Sequence, residues 1–243
     1  MRILGLDTAT AATTVAFLDS ETGLALERRD DPEPGERPRH TTRALALVAE
    51  AMDAAGAGWA DIDRIAVGVG PGTFTGLRIG VATAQGLARA REIPLVGVST
   101  LHALALAVAG DADPDGGEDA VAAVIDARRG EVFAAGWRLD DVAAPRARPL
   151  FSPRAVPVHQ LADALRAQGP RWVAGGDGSV AFRAALERSG ARIPKDDSAR
   201  NRVNAIEHCR LALGLPPEPP EGVRPEYLRL PDAEVSLRAA RQP

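Results

Sequence analysis

The sequence predicts an α/β fold made of two lobes. Short apolar runs alternate with amphipathic segments in the order three strands, helix, strand and helix over residues 2–90. A further apolar run at 121–126 ends in a carboxylate, as the run at 2–7 does, so the order of elements partly repeats. We therefore expect a duplicated α/β unit in which mixed sheets are flanked by helices.

The first lobe is expected to span residues 1–108. Its helix at 41–55 is predicted from Leu45, Val48 and Met52, which recur at helical spacing. The first three strands are expected to form an antiparallel meander, since a turn-forming segment separates the second from the third. The predicted elements are strands at 2–7, 13–18, 24–29 and 64–69 and helices at about 41–55 and 75–90.

The second lobe is expected to span residues 109–198 and to begin after the acidic, glycine-rich segment 110–119. A helix at about 199–213 is expected to return to the first lobe, and residues 214–243 form a proline-rich tail with a short extended piece. The remaining predicted elements are strands at 121–126, 131–138 and 171–174, helices near 159–167 and 178–188, and the extended piece at 225–229.

The composition narrows the possible functions. Aromatic residues make up 4% of the chain and its formal net charge is -4, whereas nucleic-acid binders usually carry a basic face with exposed aromatics. The single cysteine, Cys209, cannot form an internal disulfide. No run reaches the roughly 18 apolar residues of a membrane span. We therefore expect a soluble, cytoplasmic protein that reaches any nucleic acid through a partner.

The segment Gly68–Gly80 is predicted to be a strand end, a glycine loop and a helix start. Thr73 and Thr75 are both suitable helix N-caps. Such a loop presents free N–H groups and the positive end of a helix dipole. It is not a Walker loop, because no Gly-Lys-Ser/Thr follows and the only lysine of the chain is Lys195.

Carboxylates occupy equivalent positions in the two lobes. Asp7 and Thr8 follow the first strand of one lobe, Asp126 follows that of the other, and Gly176 lies in a later glycine turn. Facing each other across a cleft, these residues could hold a hydrated magnesium ion and a nucleotide phosphate. Alternatively Asp7 only caps a turn, an interpretation favoured by the alanine and threonine that follow where actin-like nucleotide sites have glycine.

Metal and nucleophile sites are not indicated. The four histidines are far apart in sequence, and neither a His-x-x-x-His nor a Cys-x-x-Cys pair is present. The sequence also lacks the Gly-x-Ser-x-Gly elbow of α/β-hydrolases. The histidine and cysteine spacing therefore predicts no metal ligands, and we expect no catalytic residues and no cofactor.

Four small residues recur at every fourth position of the helix predicted at 75–90. Such a stripe allows another element to approach closely. It packs either on the chain's own sheet or against the helix of a second subunit, and the sequence leaves both alternatives open. The stripe consists of Gly76, Gly80, Ala84 and Ala88.

The segment Gly70–Gly80 closely resembles the signature of the bacterial TsaB family, also called YeaZ, with Thr73 in place of the family's usual serine. Leu6-Asp7-Thr8, the segment 125–133 and the segment 225–229 resemble the family in the right order. The resemblance implies an actin-like ASKHA fold, related to ribonuclease H, with two lobes. It also implies a part in forming threonylcarbamoyladenosine at position 37 of tRNAs that read codons beginning with A.

The family is understood as a non-catalytic platform that binds and activates the related enzyme TsaD, with TsaE as the ATPase of the set. A homodimer is implied for the isolated chain, and contact with tRNA only through TsaD. The helices at 41–55 and 75–90 correspond to the pairing surface of the family. The implied interface residues are Leu45, Val48, Met52, Thr75, Gly76, Arg78, Gly80, Ala84 and Ala88.

Two other functions stay open. A small-molecule kinase or nucleotide hydrolase of the same fold would bind ATP through Asp7, Asp126 and Gly176. A metallopeptidase is suggested by the family's older association with glycoprotease-like proteins, although the histidine spacing argues against it.

Overall fold

The first of two sheets has five strands. The structure is a computed structural model, and it describes residues 1–33, 35–113 and 117–229. The strands are β1 (Arg2–Asp7), β2 (Thr13–Asp19), β3 (Ala25–Asp30), β4 (Arg64–Gly70) and β5 (Leu95–Ser99), in the spatial order β3-β2-β1-β4-β5. The first three form the predicted antiparallel meander, and β4 and β5 run parallel to β1.

The second sheet repeats this arrangement with four strands. They are β6 (Ala120–Arg128), β7 (Glu131–Arg138), β8 (Phe151–Pro157) and β9 (Trp172–Gly175), in the order β8-β7-β6-β9. As in β3-β2-β1-β4, two antiparallel pairings are followed by one parallel pairing. The predicted two-lobed α/β fold is confirmed, and the topology shows the duplication directly.

Seven helices surround the sheets within the part of the chain that the structure describes. They are α1 (His40–Ala55), α2 (Phe74–Arg91), α3 (Thr100–Ala109), α4 (Val158–Ala167), α5 (Asp177–Ala181), α6 (Arg183–Glu187) and α7 (Ala205–Ala212). Helices α1 and α2 cover one face of the first sheet and α7 the other, while α3 contributes to the cores of both sheets. We call the first sheet with α1, α2 and α7 the first lobe, and the second sheet with α4 to α6 the second lobe.

Alternate residues of β1 face opposite layers of the first lobe, as strand geometry requires. Leu4 and Leu6 belong to the core beneath α1 and α2, whereas Ile3 belongs to the core beneath α7. A Cβ on Gly5 would stand only 2.7 Å from the carbonyl oxygen of Ala205, so β1 and α7 approach closely here. By the same alternation, the next residue on the α7 side is Asp7.

Three elements were not predicted from the sequence. β5 and α3 follow each other directly within Leu95–Ala109, and Ser99 ends the strand and caps the helix by accepting a hydrogen bond from the N–H of His102. β8 contains two prolines, and it tolerates them because it is an edge strand.

Among the described residues, no helix has the length and apolar character that crossing a membrane would require.

Two predicted helices are shorter in the structure than expected. The segment 178–188 is divided into α5 and α6 at Phe182, whose backbone is not helical. Only the second half of 199–213 is α-helical, because the Asn204 side chain accepts a hydrogen bond from the N–H of Glu207 and so starts α7 there. The extended piece at 225–229 joins neither sheet. Residues 230–243 of the predicted tail and residues 114–116 of the acidic segment lie outside the described residues.

The prediction that the small-residue stripe of α2 docks against a second subunit is wrong, because the chain's own first sheet covers it. A Cβ on Gly76 would overlap the carbonyl oxygen of Thr8, and a Cβ on Gly80 would overlap the Thr8 hydroxyl. Ala84 and Ala88 are 0% and 1% exposed. The stripe therefore allows α2 to approach β1 and the turn that follows it.

Candidate functional site

A cleft of about 460 Å³ separates the two lobes and is the candidate functional site. A second hollow of about 270 Å³ shares Thr10, Ala11 and Asp177 with it. The cleft walls combine hydroxyls, aromatic rings, two carboxylates and two arginines. These side chains are Thr10, Thr73, Thr75, Phe74, Phe133, Tyr227, Asp126, Asp177, Arg128 and Arg229.

Asp7 does not face this cleft, contrary to the prediction. Its carboxylate is 1% exposed and points toward α7, where Oδ2 lies 3.0 Å from Nε2 of His208. Oδ2 also accepts a hydrogen bond from the Thr100 hydroxyl at 2.8 Å, and Oδ1 accepts one from the N–H of Ala9 at 2.7 Å. A Cβ on Gly68 would overlap the carboxylate, so only glycine fits there. Asp7 is thus a buried structural anchor between β1 and α7.

The pKa values of Asp7 and His208 shift in the directions that favour the charged form of each group. Burial acts to raise the pKa of Asp7, but the contact with His208 and the bonds from Ala9 and Thr100 outweigh it and hold the pKa below its ordinary value. Burial acts to lower the pKa of His208, and the Asp7 carboxylate outweighs it and raises the pKa. Nδ1 of His208 lies 2.9 Å from the carbonyl oxygen of Asn204, which orients the ring.

Thr8 and Gly176 are also absent from the cleft lining. The Thr8 side chain is buried against α2 and donates a hydrogen bond to the carbonyl oxygen of Gly76 at 2.7 Å. Gly176 is buried with a φ of 123°, and a Cβ there would overlap the carbonyl oxygen of Val124. Of the four predicted cofactor contacts, only Asp126 lines the cleft.

The carboxylates that do line the cleft are Asp126 and Asp177. Asp177 starts α5, and its Oδ1 accepts a hydrogen bond from the N–H of Asp126 at 3.0 Å. Solvent reaches Asp177 from the cleft, yet surrounding protein partly desolvates its carboxyl and raises its pKa, an effect to which the Asp126 charge adds. Arg128 lies 3.5 Å from Asp126. Sequence reasoning placed Asp177 in a glycine turn but did not identify it as a site residue.

Three backbone N–H groups of the turn after β1 and of the glycine loop are not free to bind phosphate. A phosphate site at such a turn needs free backbone N–H groups. The N–H of Ala9 is bonded to Asp7, and the N–H of Thr73 is bonded to the carbonyl oxygen of Ala9 at 2.8 Å. The N–H of Gly70 donates to the Thr100 hydroxyl at 3.2 Å. These donors are already satisfied within the protein.

A metal centre is also not indicated. Within residues 1–33, 35–113 and 117–229, no three histidine, cysteine or acidic side chains come together in a way that could hold a metal ion. His102 and His208 are each bonded to a backbone carbonyl oxygen of the protein. Cys209 is buried, and burial raises the pKa of its thiol, which makes the reactive thiolate scarce.

The outer surface of α1 and α2 is the second candidate site, and we call it the α1–α2 face. Of the nine predicted interface residues, Leu45, Thr75 and Arg78 are exposed, and Leu45 has 56% of its surface accessible. The other six are buried in the first lobe: Val48, Met52, Gly76, Gly80, Ala84 and Ala88. Ala82 and Gly86 are exposed on the same side of α2, and a Cβ on Gly86 would meet nothing within 4 Å. Small residues therefore do face solvent on α2, but at other positions than those predicted.

Comparison with known proteins links the chain to one family. Residues 32–148 match the family model of TsaD, tRNA N6-adenosine threonylcarbamoyltransferase. Over 141 residues the chain is 42% identical to the tRNA threonylcarbamoyladenosine biosynthesis protein TsaB of Escherichia coli (strain K12), an alignment that covers 58% of this chain and 57% of that protein. The chain thus spans little more than half the length of this curated relative.

Two solved structures match along nearly the whole chain. One is an uncharacterized protein from Pseudomonas aeruginosa with similarity to peptidase YeaZ, with 31% identity and a TM-score of 0.73, covering 94% of this chain and 99% of that one. The other is YeaZ from Pseudomonas aeruginosa, with 30% identity and a TM-score of 0.69, covering 93% and 99% of the two chains.

Proposed function

Because this chain belongs to the YeaZ/TsaB family, we propose that it is a non-catalytic partner of TsaD in making threonylcarbamoyladenosine in tRNA. One observation carries the proposal: α1 exposes a large apolar side chain, Leu45, and α2 exposes residues too small to obstruct another helix, Ala82 and Gly86. We assign this face to TsaD, or to a second copy of the chain when TsaD is absent. We expect TsaE to join the larger complex. In this scheme tRNA contacts TsaD, and the complex works in the cytoplasm.

The cleft supports a non-catalytic role. Nucleotide chemistry at such a cleft needs a carboxylate free to position a hydrated metal and backbone donors free to hold phosphate. The Asp7 carboxylate lies 3.0 Å from His208 and accepts a hydrogen bond from Thr100, and Ala9 donates its N–H to Asp7. Asp126 and Asp177 would repel phosphate in the absence of a metal ion. We therefore expect calorimetry with ATP or ADP and magnesium to detect no uptake, and uptake would favour the kinase or hydrolase alternative.

The α1–α2 face is tested first by truncating its apolar residue. Leu45→Ala removes exposed apolar surface and should leave the fold stable within about 0.5 kcal/mol. Its matched control is Leu24→Ala, which truncates a 40% exposed leucine in the β2–β3 turn. If Leu45 is a central contact, calorimetric affinity for TsaD falls about tenfold in Leu45→Ala and stays unchanged in Leu24→Ala. Equal affinities in both variants would contradict the assignment of this face.

A second test adds bulk. Gly86→Gln places a long side chain on the exposed side of α2, at a position where an added Cβ meets nothing within 4 Å, and it replaces glycine by a better helix former. Ala184→Gln makes the same addition on the exposed side of α6 in the second lobe. We expect only Gly86→Gln to abolish TsaD binding and, in cells depleted of the parent protein, to fail to restore threonylcarbamoyladenosine measured by mass spectrometry of tRNA. Normal modification with Gly86→Gln would refute docking through this surface.

A further inference from the structure

The segment that follows α7 crosses from the first lobe to the second. We call residues 214–229 the strap. It begins at the end of α7, runs along the first lobe, and ends against the second lobe at the cleft. The sequence predicted a proline-rich tail here, with a short extended piece at 225–229.

The strap is bound to the first lobe over most of its length. The N–H of Glu218 donates to the carbonyl oxygen of Leu95 at 2.8 Å, which covers the edge strand β5. Nε2 of Gln85, on α2, donates to the carbonyl oxygens of Pro220 and Val223 at 2.7 and 2.9 Å. The Val223 side chain is 2% exposed and belongs to the core beneath α1 and α2.

The strap then passes the mouth of the cleft. The N–H of Glu226 donates to the carbonyl oxygen of Val69 at 2.7 Å, at the end of β4. The Tyr227 ring lies 4.9 Å from the Phe74 ring, and its hydroxyl accepts a hydrogen bond from Nε of Arg78 at 3.2 Å. The Arg78 guanidinium also lies over the Phe74 ring at 3.8 Å. This aromatic cluster joins the strap to the first turn of α2.

The last two residues of the strap contact the second lobe. The Leu228 side chain packs against the core of the second sheet. Nη1 of Arg229 donates a hydrogen bond to the carbonyl oxygen of Ala127 at 2.9 Å and lies 3.4 Å from the carboxylate of Glu131. Ala127 and Glu131 belong to β6 and β7, next to Asp126 in the cleft wall.

We propose that the strap is an intramolecular tie that sets the opening of the interlobe cleft, with Arg229 as the residue that holds the second lobe. Protection of the edge of β5 accounts for the contact at Glu218 but not for the continuation of the chain to the other lobe. The first-lobe end of the tie is anchored by a buried side chain and by several backbone hydrogen bonds. Within the part of the strap that the structure describes, the Arg229 guanidinium makes the polar contacts with the second lobe, so its loss should loosen the tie while leaving the first-lobe attachments intact.

The opening can be measured by electron paramagnetic resonance distances between spin labels on the full chain. Asp53→Cys on α1 and Gln160→Cys on α4 provide exposed labelling sites in the two lobes, and Cys209 is buried away from the label. Adding Arg229→Ala should lengthen and broaden the distance distribution. Arg224→Ala, which removes an exposed arginine of the same strap, should leave the distribution unchanged.

Amide hydrogen exchange gives a second, independent measurement. If the strap opens as a unit, Arg229→Ala should speed exchange of the Glu226 amide about tenfold, the factor expected for one lost hydrogen bond to a charged group. Glu131→Gln weakens the same tie from the other lobe and should act in the same direction. An unchanged distance distribution with unchanged Glu226 exchange in Arg229→Ala would overturn the proposal. Because both measurements use this chain alone, they are independent of whether TsaD binds it.

Discussion

Removal of His208 is expected to destabilise the first lobe severely, because it leaves the Asp7 carboxylate buried without its charged partner. His208 is 0% exposed and Asp7 1% exposed. In His208→Ala, Asp7 retains the bonds from Ala9 and Thr100 but no positive charge at contact distance. The perturbation therefore changes charge compensation in a site that water does not reach.

The expected loss is about 3–5 kcal/mol, the usual cost of leaving one member of a buried ion pair without the other. Domains are typically stable by about 5–15 kcal/mol, so this variant should unfold at much lower urea concentration. The milder change His208→Gln keeps an N–H donor near Asp7 and should cost less than His208→Ala. His208→Gln loses the charge, whereas His208→Ala also loses the donor and the volume of the ring.

The pair also makes stability depend on pH. The pKa of Asp7 is held below its ordinary value of 3.8, so its contribution is present above that pH and disappears as pH falls through the lowered pKa. The pKa of His208 is raised above 6.5, so its contribution is complete below pH 6.5 and disappears as pH rises through the raised pKa. The pair thus stabilises the protein most between pH 3.8 and 6.5. Arg29 and His40 act electrostatically on Asp7, and Glu207 acts on His208.

Urea unfolding followed by tryptophan fluorescence at several pH values measures both effects, since the chain has three tryptophans. The control is His159→Gln, which removes an exposed histidine on α4. Below pH 3.8 and above pH 6.5 the parent protein should lose stability relative to His208→Gln. The stability of His159→Gln should change with pH as that of the parent does. A His208→Ala variant within about 1 kcal/mol of the parent at pH 6 would refute the reasoning.

Three further predictions concern single positions. Thr100→Val removes the donor to Asp7 and the acceptor for the N–H of Gly70, and should cost about 1–3 kcal/mol in urea unfolding. Gly86→Ala should stabilise the chain by about 0.5–1 kcal/mol in the same assay, because alanine is a better helix former and the added methyl group has no neighbour within 4 Å. A loss of stability would show that the outer side of α2 at Gly86 is not open. Cys209 should react with a thiol reagent at the rate of global unfolding, and rapid labelling of the native protein would show that α7 opens locally.

Much of the fold could be predicted from the sequence because the periodicities are local. The helices at 40–55 and 74–91 and the hairpin at 120–138 lie within two residues of their predicted bounds. The predictions failed where tertiary context decides the structure. The prolines of β8 are permitted only by its edge position. The start of α3 does carry a local signal, the N-cap Ser99, which the prediction overlooked.

The candidate site was less predictable, because a residue's position at a strand end does not reveal which layer it faces. Asp7 and Asp126 do end equivalent strands, as predicted. The alternation along β1 turns Asp7 toward α7. The sequence does not reveal this orientation, because it does not show that α7 covers this face of the sheet. The stripe at Gly76 and Gly80 was likewise identified correctly as a place of close approach, but the approaching element is the turn at Thr8 of the same chain.

The asymmetry between the two lobes bears on function. In a duplicated fold whose cleft carries out metal-assisted phosphate chemistry, both strand-end carboxylates should be able to reach the ligand. Here Asp126 lines the cleft, while its counterpart Asp7 forms a buried pair with His208. Freeing Asp7 for catalysis would break that pair, at a cost comparable to the stability of a domain. This asymmetry supports the proposal that the chain acts through a surface, and the α1–α2 face, with Leu45 and Gly86 exposed, can change without unfolding the chain.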